Sequence, residues 1–183
     1  MAIPKDPPFT LQLVAVFSGY DAAVDWAREK IDNNWGRVAL ASEPFDHSET
    51  TYYESEMGPG LKKQFFVVDR SYDPACLADS KLESNRWEAE FVAQAAAAEA
   101  NNSPPRPVNI DPGYLTLTKL VLASAKDRAH RIYLRDGIYA EECLYYLKGW
   151  QARPWTYPDY QRADFQAFFD EARDYLKRQI SPK

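Results

Sequence analysis

The segment HRIYLRDGIYAEE, residues 130–142, constrains the fold of this chain more than any other stretch. Asp136-Gly137 stands between two runs of alternating apolar and polar residues, the pattern of a two-residue β-hairpin turn. The cross-strand pairs that follow from this turn are Arg135 with Ile138, Tyr133 with Ala140, and Arg131 with Glu142. The segment therefore predicts two adjacent antiparallel strands, unless a bulge shifts the register.

The rest of the chain predicts an α+β fold. A short apolar run at Leu11–Ser18 indicates a buried strand, and a helical pattern follows from Asp21 to Gly36. Three strand-like pieces come next: RVALASEPF, TTYYESEM and LKKQFFVVDRSY. A second helix begins at Pro74, further strands lead to the hairpin, and a last helix covers about 160–180. This order favours a largely antiparallel sheet with helices packed on one face, and its first half is compatible with a ferredoxin-like unit.

Length and composition predict a single domain over residues 1–183. A chain of this size buries enough surface for a real core, and 45% of its residues are hydrophobic. The proline-rich segment NNSPPRP cannot be helical, so residues 99–107 are interpreted as a surface loop or insertion.

Charge and hydropathy exclude several classes of protein. The net charge of −5 argues against general nucleic-acid binding, which needs a basic surface. No apolar run is long enough for a membrane span, and the N-terminus lacks the pattern of a signal peptide. Cys76 and Cys143 are interpreted as two buried thiols, since no metal-binding spacing joins them. We expect a cytoplasmic protein.

His130 and Glu141 are the first candidates for a functional site. If the strand before the hairpin pairs with its first strand, both residues interrupt an apolar face that includes Val121 and Ala123. A buried carboxylate needs a partner, which makes Glu141 the more informative of the two. Histidine titrates near neutral pH, so His130 is a proton-transfer candidate, although a structural histidine is the commoner case.

Two further acidic positions are candidates for acid–base chemistry or metal binding. Strand alternation in TTYYESEMG places Tyr52, Glu54 and Glu56 on one side, where paired carboxylates suit a divalent cation such as Mg²⁺ or Mn²⁺. A solvated strand edge is the commoner explanation of such a pair. Asp111 precedes a Pro-Gly dipeptide, for which a type II turn is the favoured interpretation.

Polar residues elsewhere supply ligand-binding candidates. Lys81, Asn85 and Glu88 lie on one helical stripe, which is usually a solvent face and becomes a site only if it faces the sheet. A locally basic cluster suits a phosphate or carboxylate ligand. The ligand-binding candidates from this cluster and from nearby aromatic residues are Lys119, Lys126, Arg131, Tyr133 and Trp155. The sequence has no GxxxxGK phosphate loop, GxGxxG, GxSxG or HExxH motif, so it is not a GTPase of the standard kind.

Four segments together resemble a known family: TTYYESEMG, KLESN, VNIDPGYLTLTKLVLASAKDRAHRIYLRDGIYAE and PWTYPDY. The chain is similar over nearly its whole length to a bacterial family of uncharacterised proteins, a domain of unknown function whose members are often labelled GTP-binding. The resemblance implies one intracellular domain, and it brings no established activity or catalytic residues.

Two hypotheses for function stand side by side. The first is a binder of, or an enzyme acting on, a small anionic molecule such as a nucleotide or phosphate ester. In it, Arg131, Lys119 and Lys126 contact the anion, while His130, Glu141, Glu56 and Asp111 are the acid–base or metal candidates. The alternative is a non-enzymatic adaptor that recruits a protein through Trp150, Trp155 and Tyr157, or a homo-oligomer with polar strand residues at its interface.

Overall fold

A computed structural model describes residues 3–47, 53–97 and 104–181. These residues form one antiparallel sheet with four helices, which confirms the predicted α+β class. The strands are β1 (Leu11–Ser18), β2 (Val38–Ala41), β3 (Phe45–Asp46), β4 (Lys62–Ser71), β5 (Val108–Leu115), β6 (Lys119–Ser124), β7 (Ile132–Arg135), β8 (Ile138–Tyr146) and β9 (Trp150–Ala152). The helices are α1 (Asp21–Asn34), α2 (Glu54–Met57), α3 (Leu77–Ala97) and α4 (Ala163–Ile180), with 3₁₀ turns at Pro74–Cys76 and Pro158–Gln161.

The sheet runs in the order β2-β4-β1-β5-β6-β8-β7, and β3 and β9 add to β4 and β8. Strand β1 lies in the middle and pairs along its length with both β4 and β5. Every residue of β1 is buried, which explains why its sequence is mostly apolar and does not alternate between apolar and polar residues. The ferredoxin-like description of the first half remains an expectation.

Helices cover both faces of the sheet, which corrects the prediction of a single covered face. Leu13 and Ala15 of β1 belong to the core beneath α4, where Phe165, Phe169 and Leu176 are buried. The alternate residues of β1, Val14 and Val16, belong to a second core beneath α1 and α3. Because successive side chains of a strand point to opposite faces, an apolar strand in the middle of the sheet requires cover on both sides.

The segment TTYYESEM is not the predicted strand. Residues 48–52, which include Tyr52, lie outside the described part of the chain, and Glu54–Met57 form the short helix α2. Met57 is buried against Phe17 and Leu61, whereas Glu54 and Glu56 are exposed. The predicted pair of carboxylates on one strand face is therefore wrong.

The predicted hairpin forms, but its register and its neighbour differ. Arg135 faces Ile138 as predicted, and Asp136 and Gly137 adopt the positive φ angles that the turn needs. An irregularity between Tyr133 and Arg135 then shifts the pairing, so that Tyr133 faces Tyr139. Strand β6 pairs with β8 and not with β7, which leaves β7 exposed as the sheet edge.

The Asp111-Pro112-Gly113 segment is part of a continuous strand rather than a turn. All three residues pair with β1, and the φ angle of Gly113 is not positive. A Cβ atom at Gly113 would lie 2.3 Å from the Val121 carbonyl oxygen, so glycine is needed here for the close approach of β6. The predicted type II turn at this place is wrong.

The two cysteines and the hydropathy of the helices complete the description of the fold. Cys143 is buried as expected, but Cys76 is exposed; both are free thiols. Within the described residues, no helix has the length and apolarity required to cross a bilayer.

Candidate functional site

Strands β5 and β6 separate at one end, and a cavity of about 290 Å³ occupies this place. Residues 113–115 of β5 pair with β6, whereas residues 108–112 pair only with β1. Residues two positions apart in a strand direct their backbone N–H and C=O groups toward the same neighbouring strand. Ile110 and Pro112 therefore face the same side, and the N–H group that Pro112 lacks would have pointed toward β6. Pro112 therefore ends the ladder between these two strands and leaves the backbone of Ile110 without a strand partner.

The polar stripe of α3 replaces that missing partner. Lys81 Nζ and Ser84 Oγ each donate a hydrogen bond of 2.9 Å to the carbonyl oxygen of Ile110. Glu88 Oε1 accepts from the Ile110 N–H at 2.8 Å. The three side chains are buried, so the stripe faces the sheet and not the solvent. This arrangement satisfies a backbone edge that would otherwise be buried without hydrogen bonds.

Lys81 also joins two carboxylates beside the cavity. Its Nζ atom lies 2.9 Å from Asp111 Oδ1 and 3.6 Å from Glu88 Oε1. Burial by itself raises the pKa of Asp111, but the charge of Lys81 and hydrogen bonds from Lys81 and Asn109 outweigh burial and lower it. Asp111 is therefore an ionised partner of Lys81, which suits electrostatic support more than a role as a proton donor.

Arg106 extends this network into the segment before β5. Its guanidinium donates to Glu88 Oε2 at 3.1 Å and to the side-chain oxygen of Asn109. The backbone N–H of Arg106 donates to the carbonyl oxygen of Glu56, which ties the segment to α2. The contact of Glu56 with the site thus runs through its backbone, while its side chain is exposed.

Lys63 and Asp159 form a second charged pair in the cavity wall. They are in direct contact, and their side chains are largely buried. The ammonium group of Lys63 also lies 5.4 Å from the ring centre of Phe17 and 4.9 Å from that of Tyr160. Burial raises the pKa of the Tyr160 hydroxyl well above its ordinary value, so Tyr160 stays neutral.

Arg131 and Glu141 form a buried ion pair at the other wall. Arg131 Nε donates to Glu141 Oε2 at 2.7 Å, and the two side chains are 5% and 2% exposed. The other guanidinium nitrogens donate to Ser124 Oγ, the Lys126 carbonyl oxygen and the Tyr157 hydroxyl. Burial lowers the pKa of Arg131, but Glu141 outweighs that effect and the net pKa is raised. Arg131 thus makes four hydrogen bonds within the protein, and it positions the wall of the cavity.

His130 and Arg131 reach the same carboxylate, although strand alternation predicts opposite sides. Both precede the first residue of β7 and so lie in a turn, where alternation does not apply. His130 Nε2 is 3.4 Å from Glu141 Oε2, and its ring stacks on Trp155 with ring centres 5.3 Å apart. His130 contacts the site through Glu141 and is not part of the cavity lining. Its role in proton transfer stays a prediction.

The structure brings some predicted site residues together and separates others. Asp111, Glu141, Asn85 and Lys126 line the cavity, and Glu88 supports it from beneath. Lys119 lies at the opposite end of β6, opposite Tyr145, and therefore cannot share a ligand with Lys126. Tyr133 is exposed on the edge strand, and Trp155 donates to the Glu142 carbonyl oxygen beside the cavity but outside its lining.

The three rings of the adaptor hypothesis do not form one exposed patch. Trp150 is buried in the core beneath α4. Tyr157 lines the cavity and its hydroxyl is bonded to Arg131, which leaves Trp155 as the most exposed ring of the three.

Sequence reasoning missed Lys63, Arg106 and Asp159 as site residues, and it named Tyr157 only as part of a protein-binding surface. Lys63, Arg106 and the segment with Tyr157 and Asp159 are far apart in sequence, and each belongs to an ordinary strand, loop or turn pattern. Their meeting depends on the pairing of β4 with β1 and on the path of residues 153–161, for which the sequence carries no local signal. His47 also lines the cavity, 4.8 Å from Phe17 between ring centres. Among the described residues, no three His, Cys, Asp or Glu side chains come together as a metal-binding group.

The comparisons with known proteins give a family and no activity. No curated protein matched the chain, and no solved structure matched it. A family model described as "Domain of unknown function (DUF4416)" matches residues 8–175, which include all the strands, the cavity and most of α4. The chain belongs to the DUF4416 family.

Proposed function

We propose that this protein binds a small anionic molecule, of the phosphate ester or nucleotide class, in the cavity between β5 and β6. The observation that carries the proposal is the meeting of four basic side chains at one cavity of an otherwise acidic chain: Lys63, Lys81, Arg106 and Lys126. They come from β4, α3, the segment before β5 and the loop after β6. Basic groups that converge from separate elements on a concave site favour an anionic ligand.

The four basic groups have different roles. Lys63, Lys81 and Arg106 each contact an acidic side chain, which fixes their positions and balances their charge. The exposed ammonium group of Lys126 makes no ion pair with any residue that the structure describes. We therefore assign the charged group of the ligand to Lys126 at the mouth of the cavity. Lys63, Lys81 and Arg106, which lie deeper in the cavity, supply fixed positive charges next to the rest of the ligand.

The other lining groups suit an organic ligand rather than a bare ion. Phe17, Tyr53, Tyr157 and Tyr160 present rings to the cavity. Asn85 lines it as well, and its side-chain amide makes no hydrogen bond to the described residues. Apolar and aromatic walls with a few polar groups are typical of small-molecule sites, whose volumes are about 300–1,000 Å³. The cavity is at the lower end of that range, which favours a compact ligand.

Replacement of Lys126 by alanine tests the proposed anion site. With ribose 5-phosphate as the probe, we expect the dissociation constant measured by isothermal titration calorimetry to rise about 5- to 10-fold, since an exposed charge-assisted contact contributes about 1 kcal/mol or slightly more. Lys119→Ala is the matched control because it removes a lysine from the start of β6, at the end of this strand that is far from Lys126. It should leave the dissociation constant unchanged.

Two results would count against the proposal. Equal weakening by Lys126→Ala and Lys119→Ala would show a general charge effect instead of a site. Absence of measurable binding of ribose 5-phosphate, inorganic phosphate and nucleoside monophosphates to the wild-type protein would overturn the anionic class altogether.

A further inference from the structure

We infer that the ligand carries a ring N–H group that donates a hydrogen bond to Glu141, so that the ligand class is a nucleobase-bearing phosphate ester and not a plain sugar phosphate. This inference rests on the proposed function and deepens it. It starts from Oε1 of Glu141, a buried oxygen that has no hydrogen-bond partner among the described residues. Glu141 is 2% exposed and lines the cavity.

An unpartnered carboxylate oxygen is an uncommon state in a folded protein. Burial of a polar atom without a hydrogen bond destabilises the fold, and the effect is larger for a charged group. The second oxygen of Glu141 already accepts a hydrogen bond from Arg131, which holds the carboxylate in place. A donor group on a ligand would satisfy Oε1 without breaking any contact that the protein makes.

The other carboxylates that line the cavity lack this property. Asp111 accepts from Lys81 with one oxygen and from Asn109 with the other. Asp159 accepts from Lys63 and from the backbone N–H of Tyr160. Glu141 is thus the acidic group of the described lining with an oxygen left for a ligand, and it selects a donor.

The surroundings of Glu141 indicate that the donor belongs to a ring. Arg131 bonds at once to Glu141, to the hydroxyl of Tyr157 and to the Lys126 carbonyl oxygen. Arg131 therefore holds three groups next to one another: the acceptor Glu141, the ring of Tyr157 and Lys126, the residue assigned to the anion. A planar ring against Tyr157, with its N–H edge toward Glu141 and a phosphate near Lys126, uses all three. Guanine and uracil offer such a ring N–H edge together with a stacking face, whereas adenine and cytosine carry no ring N–H group.

The wild-type protein gives the first test. Dissociation constants are measured for ribose 5-phosphate and for the 5′-monophosphates of adenosine, guanosine, cytidine and uridine. We expect the guanosine or the uridine nucleotide, whose bases carry a ring N–H group, to bind about 10- to 100-fold more tightly than ribose 5-phosphate, the effect of a hydrogen bond to a charged acceptor. Methylation of the donating nitrogen of that nucleotide should remove the gain.

The variant Glu141→Gln gives the second test, since the amide keeps an oxygen for Arg131 and turns an N–H₂ group toward the ligand. The gain of the nucleotide over ribose 5-phosphate should be lost, while ribose 5-phosphate itself still binds. Glu142→Gln is the matched control, because Glu142 is the next residue of β8 and pairs with Arg153 instead. It should keep the gain.

The possible outcomes separate the two proposals. If the guanosine and uridine nucleotides both bind within about threefold of ribose 5-phosphate, this inference is overturned and the anion site stands. If none of the compounds binds, both proposals fall together. Should Glu141→Gln fail to fold, the comparison between the nucleotide and its N-methylated form decides the matter on the wild-type protein.

Discussion

The variant Arg131→Ala is expected to lose about 3–5 kcal/mol of unfolding free energy, the usual effect of removing one partner of a buried ion pair. The substitution leaves the Glu141 carboxylate buried without a counter-charge. It also removes donors to Ser124, Tyr157 and the Lys126 carbonyl oxygen. For a domain of this size, the midpoint of thermal unfolding should fall by about 6–20 °C.

A second arginine on the same hairpin supplies the control for this prediction. Arg135 contacts Asp79 and Asp136, but all three side chains are well exposed to solvent. Solvent screens such pairs, so Arg135→Ala should leave the unfolding curve close to that of the wild type. Similar losses for the two variants would contradict the structural role assigned to Arg131.

A double variant separates the lost charge pair from lost packing. In Arg131→Met with Glu141→Met, no charge is left buried, and apolar groups of similar length fill the space. Replacement of a buried pair by apolar residues is often close to neutral. We expect the double variant to regain much of the stability that Arg131→Ala loses, as measured by urea unfolding. A double variant less stable than Arg131→Ala would show that packing, not charge, dominates at this position.

Lys81→Met is expected to have the second-largest effect, a loss of about 2–3 kcal/mol at neutral pH, which is slightly below the usual range for a buried pair. The substitution removes the counter-charge of Asp111 and one donor to the Ile110 carbonyl oxygen. Two contacts limit the loss: Arg106 still bonds to Glu88, and Ser84 still donates to Ile110. Urea unfolding at constant pH measures the difference directly.

The loss caused by Lys81→Met should shrink in acid. The folded protein lowers the pKa of Asp111, so its stabilising contribution is present above the ordinary carboxyl pKa and disappears as the pH falls through the folded value. In the variant this contribution is absent at any pH, and the curves of wild type and variant therefore converge below about pH 4. Lys30→Met, which breaks a half-exposed pair with Glu90, should cost about 1 kcal/mol or less. A pH-independent loss in Lys81→Met would refute the proposed role of its charge.

The sequence was most informative where one local pattern determines one structure. The Asp-Gly turn set the end of the β7–β8 hairpin correctly, because few other turns fit that dipeptide between alternating runs. The phenylalanines of α4 marked its buried face, since helical periodicity and burial coincide there. Glu141 is a buried acid with a partner, as expected, although the pairing of β6 with β8 that buries it is not the expected one.

Two local patterns were misleading because a tertiary contact decided the outcome. Pro112-Gly113 resembles a turn, but these residues end a ladder and make room for β6 within a strand. The stripe with Lys81 and Glu88 resembles a solvent face, but it bonds to an open strand edge. In both cases the cause lies in the position of β6 relative to β5, close at Gly113 and separated beyond Pro112, which involves residues distant in sequence.

The cavity could not be predicted from the sequence, because its lining residues are also distant from one another along the chain. Its charged residues come from β4, α3, β5, β8 and three connections, and each looks ordinary in its own segment. Strand alternation also placed His130 and Arg131 on opposite faces, because the sequence analysis included both residues in the first strand of the hairpin, whereas β7 begins at Ile132. Both residues reach Glu141 because they lie in the turn before β7 and because β8 lies between β6 and β7 in the sheet.

The most direct test of the account is to locate the bound anion. In two-dimensional ¹⁵N–¹H spectra of the wild-type protein titrated with ribose 5-phosphate, the largest shifts should fall on the backbone amides of Ser124, Lys126, Asn109 and Asp111. These residues surround the place where β5 and β6 separate. Amides of the edge strand β7 and of the outer face of α4 should be unaffected. Shifts confined to those two surfaces, or no shifts at saturating probe, would contradict a ligand site in this cavity.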